Sequence, residues 1–426
     1  MARYDIVVCG GGFAGVSAAI SAGRKGASVL LIDANNCLGG AAGECLVNPF
    51  MPYFTHKDGK LLLLSDGLFT EICEELKKLG CAFNGKEYVP NGKTSFTFNE
   101  EHLKIVLQRM VLAAGVKLLF HTHVIGVKKE GRRVTAVTVS NKSGVYDVYG
   151  DVIIDATGDA DVAALAECET VLGRENDHLC QPMTLCFRVS NIDIPRFNDD
   201  KANMQAKYKQ FRMEGKIKNV REDVLVFRTT SDNILHFNST RVVKHDPTNA
   251  EDVTEAEIIA REQVAELFDF LKKNVDGCQD AVLVSTAMRI GVRESRMIRG
   301  DYLLTQEDLL ECRMPYDTVS VCNYDIDIHN PEGSGTSHYY FPEGKYYGIP
   351  YRSLIPKDAD NLLAAGRCIS STHEAQASYR IMPTCCTLGQ AAGVAAYMAL
   401  QKSGDVRAID YTALRDTLRN DGARVD

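Results

Sequence analysis

Within the 426-residue sequence, a few side chains could move protons or hold anions. His373 and Arg380 lie in a loop, Cys368 to Pro383, ahead of an apolar helix expected from about Thr384 to Leu400. A histidine exchanges protons near neutral pH, and an arginine clamps a carboxylate or a developing enolate with a rigid fork of donors. The plainer reading is that both hold a long loop in shape. His338 stands beside Tyr339, Tyr340, Tyr346, Tyr347 and Tyr351, with Pro342, Gly344 and Arg352 in the same run. This composition fits an aromatic lid or pocket wall with His338 as acid or base; it also fits a tyrosine-rich hairpin at a domain junction. Arg289, Arg293, Glu294 and Arg296 form a dense charge cluster behind an apolar strand, Ala281 to Val284. Such a cluster suits an anionic substrate or a buried ion network.

The cysteines point away from metal and disulfide chemistry. Fourteen are scattered without a C-x-x-C pair, which leaves a zinc or iron–sulfur site without support. Most are expected to be reduced, buried and apolar in behaviour. A redox C-x-x-x-x-C beginning at Cys45 would need a second cysteine where Phe50 stands. Cys385 and Cys386 are adjacent, a spacing that disfavours a bridge and favours packing.

The elements that must position these groups begin at the first residues. Tyr4 to Cys9 reads as an apolar strand, Gly10 to Gly15 fits G-x-G-x-x-G, Val16 to Lys25 reads as a helix, and Ala27 to Ile32 is a second strand ending at Asp33. Gly10 permits the tight turn, Gly12 lets backbone approach a pyrophosphate, and Gly15 lets the helix pack on the sheet. The helix start offers free N–H groups to phosphates. Asp33, twenty-three residues after Gly10, stands where a carboxylate accepts ribose hydroxyls. The unit predicts dinucleotide binding without saying which dinucleotide. Gly39-Gly40, in a small-residue loop, would let backbone pass a large cofactor, a feature FAD proteins often have. Asp151 to Asp159 is a buried strand ending in another glycine turn, followed by a small-residue helix, Ala160 to Ala166, and suggests a second contact with the same cofactor. Asp360 to Arg367 is a further buried strand closing on Gly366, and the helix after Thr384 carries Ala, Gly and Cys for close packing.

Between these units, helical spacing is expected over Leu61 to Leu79 and Glu100 to Ala114, then a strand at Val116 to Phe120, another led into by His121 to Val127, and a hairpin of Val134 to Ser140 with Val145 to Tyr149. Residues 180 to 344 differ in texture: strands at Met183 to Val189, Val224 to Arg228 and Ile234 to Ser239, and a helix, Thr254 to Lys273, opened by a Thr254/Glu257 capping box. Net charge is −8, against a nucleic-acid partner. No apolar run approaches the roughly 20 residues of a membrane span, and the start lacks a signal pattern, so a cytoplasmic protein is expected. The oligomeric state is left open.

Three glycine motifs around one inserted sheet resemble the FAD-dependent oxidoreductases of the two-dinucleotide-fold superfamily, in the group broadly related to fumarate reductases and succinate dehydrogenases. More narrowly the chain is similar to a bacterial family known simply as FAD-dependent oxidoreductases. The resemblance runs over Asp5 to Gly15 with Asp33 and Gly39-Gly40, Asp155 to Asp159, Ile290 to Arg296 through Gly300 to Thr305, and Tyr351 to Pro356 through Gly366-Arg367-Cys368, His373, Ser378, Arg380 and Gly389 to Gly393. It implies an α/β protein: a Rossmann-like FAD-binding domain, a ββα sandwich of parallel sheet with helices, from 1–179 and 345–426, and an inserted α+β substrate domain with a mixed or antiparallel sheet, 180–344. By the same resemblance Gly10, Gly12, Phe13, Ala14 and Gly15 hold the pyrophosphate, Asp33 with Ala34 the ribose, and Val124 flanks the adenine. Gly39, Gly40, Thr157, Gly158 and Asp159 add contacts, and Gly366, Arg367 and Thr384 meet the flavin end. It also favours the ion-network reading of the charge cluster, and allows His373 to anchor flavin covalently.

The function so implied is hydride transfer between a small organic substrate and flavin N5, with His373, Arg380 and His338 as catalytic candidates. An external electron donor or acceptor would complete the cycle. The alternatives are an NAD-only dehydrogenase, disfavoured by the later glycine motifs, and a flavin-binding electron-transfer subunit or redox sensor.

Overall fold

The computed structural model describes residues 3–89 and 93–426. Its centre is a seven-stranded sheet. Lys117–Leu119, Val29–Ile32, Arg3–Cys9, Gly144–Asp155 and Leu362–Ala364 run side by side in parallel. The run YDIVVC is apolar without alternation because both faces of its strand are covered. Ile6 and Val8 pack with Leu31, Val152, Ile154 and Leu363 against helices. Val7 and Cys9 pack with Leu30, Ile32 and Ile153 against an antiparallel meander, His123–Glu130 and Arg133–Asn141. Gly144–Asp155 belongs to both layers: its first half pairs antiparallel with Arg133–Asn141, its second half parallel with Arg3–Cys9. The hairpin strand and the buried strand expected separately are therefore one continuous strand with Gly150 inside it.

The helical layer is built around two helices in close contact, Phe13–Arg24 and Met382–Leu400. A Cβ on Gly389 would lie 2.0 Å from Ala14 O, and one on Gly393 2.2 Å from Ala18 O. These two positions let the backbones meet, and the small-residue composition of the second helix is thereby explained.

A second core holds a four-stranded antiparallel sheet in the order Val226–Arg228, Ile234–Phe237, Phe187–Ser190, Val282–Thr286. Two long helices, Ile194–Met213 and Ala250–Asn274, cover one face. Residues from Leu304 to Ile355 return to the first core, where Val319, Tyr347 and Tyr351 are fully buried beside Met382–Leu400. Among the described residues, no helix is long and apolar enough to cross a membrane.

Four local expectations are corrected. Leu61 to Leu79 is not one helix: Phe54–Lys57 and Lys60–Leu63 form a hairpin across Asp58-Gly59, both at positive φ, and the helix is Leu68–Lys78. Asp-Gly is a two-residue hairpin signal, and it overrides the helical spacing. Thr254 is not an N-cap. The helix begins five residues earlier, capped by Asn249, and the Thr254 hydroxyl donates back to Ala250 O while Glu257 accepts from Ile290 N. The loop before the last long helix contains a helix of its own, His373–Tyr379, capped by Thr372. The long helix itself starts at Met382, two residues before Thr384.

Candidate active site and dinucleotide cradle

The glycine turns leave the carboxyl ends of the parallel strands, where ligands bind in open α/β sheets. Gly10 has φ +106° and a Cβ on it would meet Ala156 O at 2.3 Å; a Cβ on Gly15 would meet Gly10 O at 1.7 Å. Both are required by packing. Gly12 is different: its nearest neighbour would be Gly40 Cα at 3.9 Å, so the two glycine loops face each other across bare backbone. Phe13 turns its ring into the core, edge-on to Phe50 at 5.2 Å, which leaves only its backbone for a ligand. Ala14 lies under Gly366, whose Cβ would be 3.1 Å from it. Ala34 is half-buried beside Asp33. Asp33 is buried and already engaged: Oδ2 accepts from Gly11 N at 2.5 Å, and Oδ1 accepts from Asn35 N at 2.7 Å. It braces the glycine loop.

The second turn is braced by charge. Asp155, wholly buried, accepts from Thr157 Oγ1 at 2.7 Å and Ala163 N at 2.9 Å, although burial raises its carboxyl above the ordinary range. Gly158 has φ +85° and the Arg367 guanidinium fills the space where its side chain would be. Arg367 pairs with Asp159, which also accepts from Ser295 Oγ at 2.5 Å. Thr384 is buried in the last long helix, its hydroxyl 3.4 Å from Cys322 Sγ. Val124 lies in the meander opposite Val139.

The helices Phe13–Arg24 and Met382–Leu400 start without any side-chain cap, behind Gly12 and Ile381. Leu68–Lys78 and Asp161–Leu165 are uncapped as well, whereas Asn99, Asp193, Asn249, Thr305, Thr372 and Asp410 cap their helices. Two uncapped N-termini, bare glycine backbone and a carboxylate at the second strand's end suit a pyrophosphate, a ribose and the anionic edge of a reduced flavin.

The chemical candidates gather in two connected groups. His373 is buried; its Nδ1 lies 2.7 Å from Glu294 Oε1, and its Nε2 has no hydrogen-bond partner among the described residues. Glu294 Oε2 accepts from Gln181 N at 2.8 Å. Gln181 links this pair to the second group: its Oε1 accepts from Arg380 Nη2 and from His329 N, both at 3.2 Å, and its Nε2 donates to Gln376 Oε1 at 3.3 Å. Arg380 also donates to Asp327 O at 3.2 Å.

Asp327 is the carboxylate of the second group. His338 Nδ1 lies 3.5 Å from Oδ1, while His329 Nε2 at 3.4 Å and Tyr324 OH at 3.3 Å face Oδ2. Arg241 Nη2 lies 3.0 Å from His329 Nδ1; a guanidinium only donates, so Nδ1 accepts and the neutral ring carries its proton on Nε2, toward Asp327. Burial pushes His329 down to about 3, against the pull of Asp327. Burial would raise Asp327, yet His329, Arg380 and His338 together hold it below the usual carboxylate range. Arg293 donates to Pro182 O at 2.7 Å and Thr184 Oγ1 at 2.5 Å. Burial, then Arg380, Arg221 and Arg241, bring its guanidinium down to about 9.

His373, Arg380 and His338 are thus brought into one linked region. His338 stays partly exposed, stacked on Tyr340 at 5.4 Å. The tyrosine run divides: Tyr339 and Tyr340 are exposed, whereas Tyr347 and Tyr351 are core residues with their hydroxyls on Ser378 and Val406 O. In the charge cluster, Arg289 reaches Glu44, Arg296 reaches Asp161, and Glu294 reaches His373, while Arg293 meets neutral oxygens. Gln181, Arg241, Asp327 and His329 were not singled out from sequence. One signal existed: Asp325, Asp327 and His329 alternate with Ile326 and Ile328, an unusual strand with polar residues at every buried second position.

The Rossmann-like sheet and the paired glycine loops are those of a dinucleotide-binding fold. The sequence matches the family described as FAD dependent oxidoreductase over residues 5–418, and the chain belongs to that family. It is an enzyme, an FAD-dependent oxidoreductase, with FAD as its cofactor. A geranylgeranyl bacteriochlorophyll reductase-like protein of Thermoplasma acidophilum shares the fold at 12% identity and TM-score 0.52, over 100% of this chain and 85% of that one. A myxobacterial chondrochloren halogenase aligns at 14% identity and TM-score 0.48, over 98% and 78% of the two chains. The p-nitrophenol 4-monooxygenase of Pseudomonas putida aligns at 10% identity and TM-score 0.45, over 98% and 84%.

Proposed function

We propose that this enzyme exchanges a hydride between a small organic substrate bearing a carboxylate and flavin N5, with an external electron donor or acceptor completing the cycle. The observation that carries the carboxylate is a charge imbalance. Arg241 and Arg221 have Glu222 and Asp223 as partners, but Arg293 and Arg380 make only neutral hydrogen bonds among the described residues. Two half-buried guanidiniums within electrostatic reach of each other, both leaning on the one carboxylate of Asp327, suit an incoming anion.

Bound FAD supplies the two-electron exchange. Arg380 and Arg293 hold the carboxylate and orient the reacting carbon. His373, fixed through Nδ1 by Glu294, presents Nε2 to take the proton a substrate releases as its hydride leaves, or to return it in the reverse direction. Gln181 keeps both groups in register. The proposed division is an FAD-binding domain, 1–179 with 345–426, and a substrate-binding insert, 180–344, whose last part packs on the FAD-binding core. Anaerobic mixing of oxidised and of photoreduced enzyme with pools of carboxylates and their neutral amides, followed by flavin absorbance, tests the reading. Turnover by carboxylates and not by amides is expected, with Arg380→Ala lowering it by about a hundredfold while FAD content holds. Amides that turn over as well as carboxylates, or loss of FAD in place of turnover, refute the assignment.

A further inference from the structure

The face of the antiparallel sheet turned away from its helices carries a buried polar row. Phe187 and Val189 are core residues of the strand Phe187–Ser190, so Arg188 between them faces the other way; Thr184, just before the strand, bridges to Gly291, and Cys186 is buried in the same core. The neighbouring strand does the same: Leu235 and Phe237 enter the core, and His236 stands opposite Arg188. One end of the row is held by Arg293, on Thr184 Oγ1 at 2.5 Å with Asn238 Oδ1 at 3.5 Å. At the other end Arg188 pairs with Glu100, which also accepts from Asn48 Nδ2 at 2.7 Å. Cys186 lies between, within the electrostatic reach of Arg293 and Arg188 alike.

His236 is the unexplained member. It is 0% exposed, and neither ring nitrogen has a hydrogen-bond partner among the described residues; Asn48 Oδ1 is also buried without one. Burial and the nearby Arg188 keep the ring neutral, so it offers one donor and one acceptor. Arg188 is charge-paired with Glu100, so this end has no spare charge, although its Nε is buried without a hydrogen-bond partner among the described residues. Native proteins rarely leave such groups unmatched.

We infer that His236 and Asn48 form a second recognition pole, for an uncharged hydrogen-bonding group such as a hydroxyl, carbonyl or amide, at the far end of an elongated substrate whose carboxylate lies at Arg293 and Arg380. This rests on the carboxylate reading above and extends it to a substrate class. The probes are straight-chain carboxylates of increasing length ending in hydroxyl, amide or methyl, together with the hydroxyl- and amide-ended chains lacking the carboxylate. Binding to the FAD-loaded enzyme is read by calorimetry and by perturbation of flavin absorbance. At one chain length the polar-ended carboxylates bind about tenfold tighter than the methyl-ended ones. His236→Phe erases that preference while FAD content and melting temperature are kept, and Arg380→Gln weakens all carboxylates alike with the preference intact. No preference at any length in the wild-type enzyme overturns the second pole, as does a preference that survives His236→Phe. If the chains lacking a carboxylate bind as well as those with one, and Arg380→Gln changes nothing, the carboxylate reading falls while the second pole stands.

Discussion

Arg293→Met makes a sharp demand of the charge imbalance. The folded environment lowers this guanidinium from 12.5 to about 9. A shift of that size corresponds to an unfavourable contribution of about 4–5 kcal/mol when the group is charged. Against it stand the hydrogen bonds to Pro182 O and Thr184 Oγ1, each with a net value of about 1 kcal/mol, and the cost of leaving those oxygens unmatched. Methionine fills a similar volume without charge, so the variant is expected to be more stable than wild type by about 2 kcal/mol at pH 7. With an unfolding entropy of about 2.1 cal/mol/K per residue, that is about 2 °C in melting temperature. The pH dependence has a definite sign. Between about 9 and 12.5 the unfolded chain binds more protons at this group than the folded one, so wild-type stability gains as pH rises through that window. The advantage of Arg293→Met is therefore full below pH 9 and shrinks above it. Calorimetry of the FAD-loaded proteins at pH 7 and pH 10 reads both effects. A small carboxylate such as succinate, added at saturation, should raise the wild-type melting temperature and leave that of the variant unmoved. A variant less stable than wild type at pH 7, or one that keeps the carboxylate-induced rise, refutes the reasoning.

The helix contact and a buried acid give two further tests. Gly389→Ala places a methyl 2.0 Å from Ala14 O, where only backbone could yield; it should cost at least about 3 kcal/mol in urea unfolding and reduce flavin absorbance per polypeptide, because the displaced helix starts at Phe13. Glu44 is raised from 4.5 to about 7 by burial, despite Arg289. The folded protein therefore binds more protons there, and this contribution to stability declines as pH rises from 4.5 to 7. Glu44→Gln should remove that decline, leaving the variant more stable at pH 8 by about 3 kcal/mol and equal at pH 4, as followed by urea midpoints.

How much of this was legible before the fold was known depends on the range over which each feature is determined. The first unit was legible because strand, glycine turn, helix and acid lie within thirty-three residues, and each glycine answers to a neighbour close in sequence or to the next strand. The small residues of Met382–Leu400 were legible as a close-packing helix, though not which helix they would meet. Local competition caused the errors. Asp58-Gly59 is a hairpin signal that overrides the helical spacing around it, and the Thr254/Glu257 pattern sits inside a helix already opened by Asn249. The short helix at His373–Tyr379 carries a plain N-cap signal in Thr372.

The chemical region resisted sequence reading for a different reason. Gln181 carries no signature of function, yet its backbone N–H holds Glu294 and its side chain holds Arg380, His329 N and Gln376, partners 113 to 199 residues away. One amide thereby couples the His373–Glu294 pair to Arg380, and neither group could be placed from its own segment. His373 is oriented through Glu294, which the family resemblance favoured as part of an ion network with the neighbouring arginines. Both descriptions of that segment hold at once: Arg289 and Arg296 tie elements together through Glu44 and Asp161, while Glu294, between them, turns inward to the histidine. A run of three arginines and one glutamate thus serves two faces, and which face a residue serves is decided by partners that only the folded chain brings near.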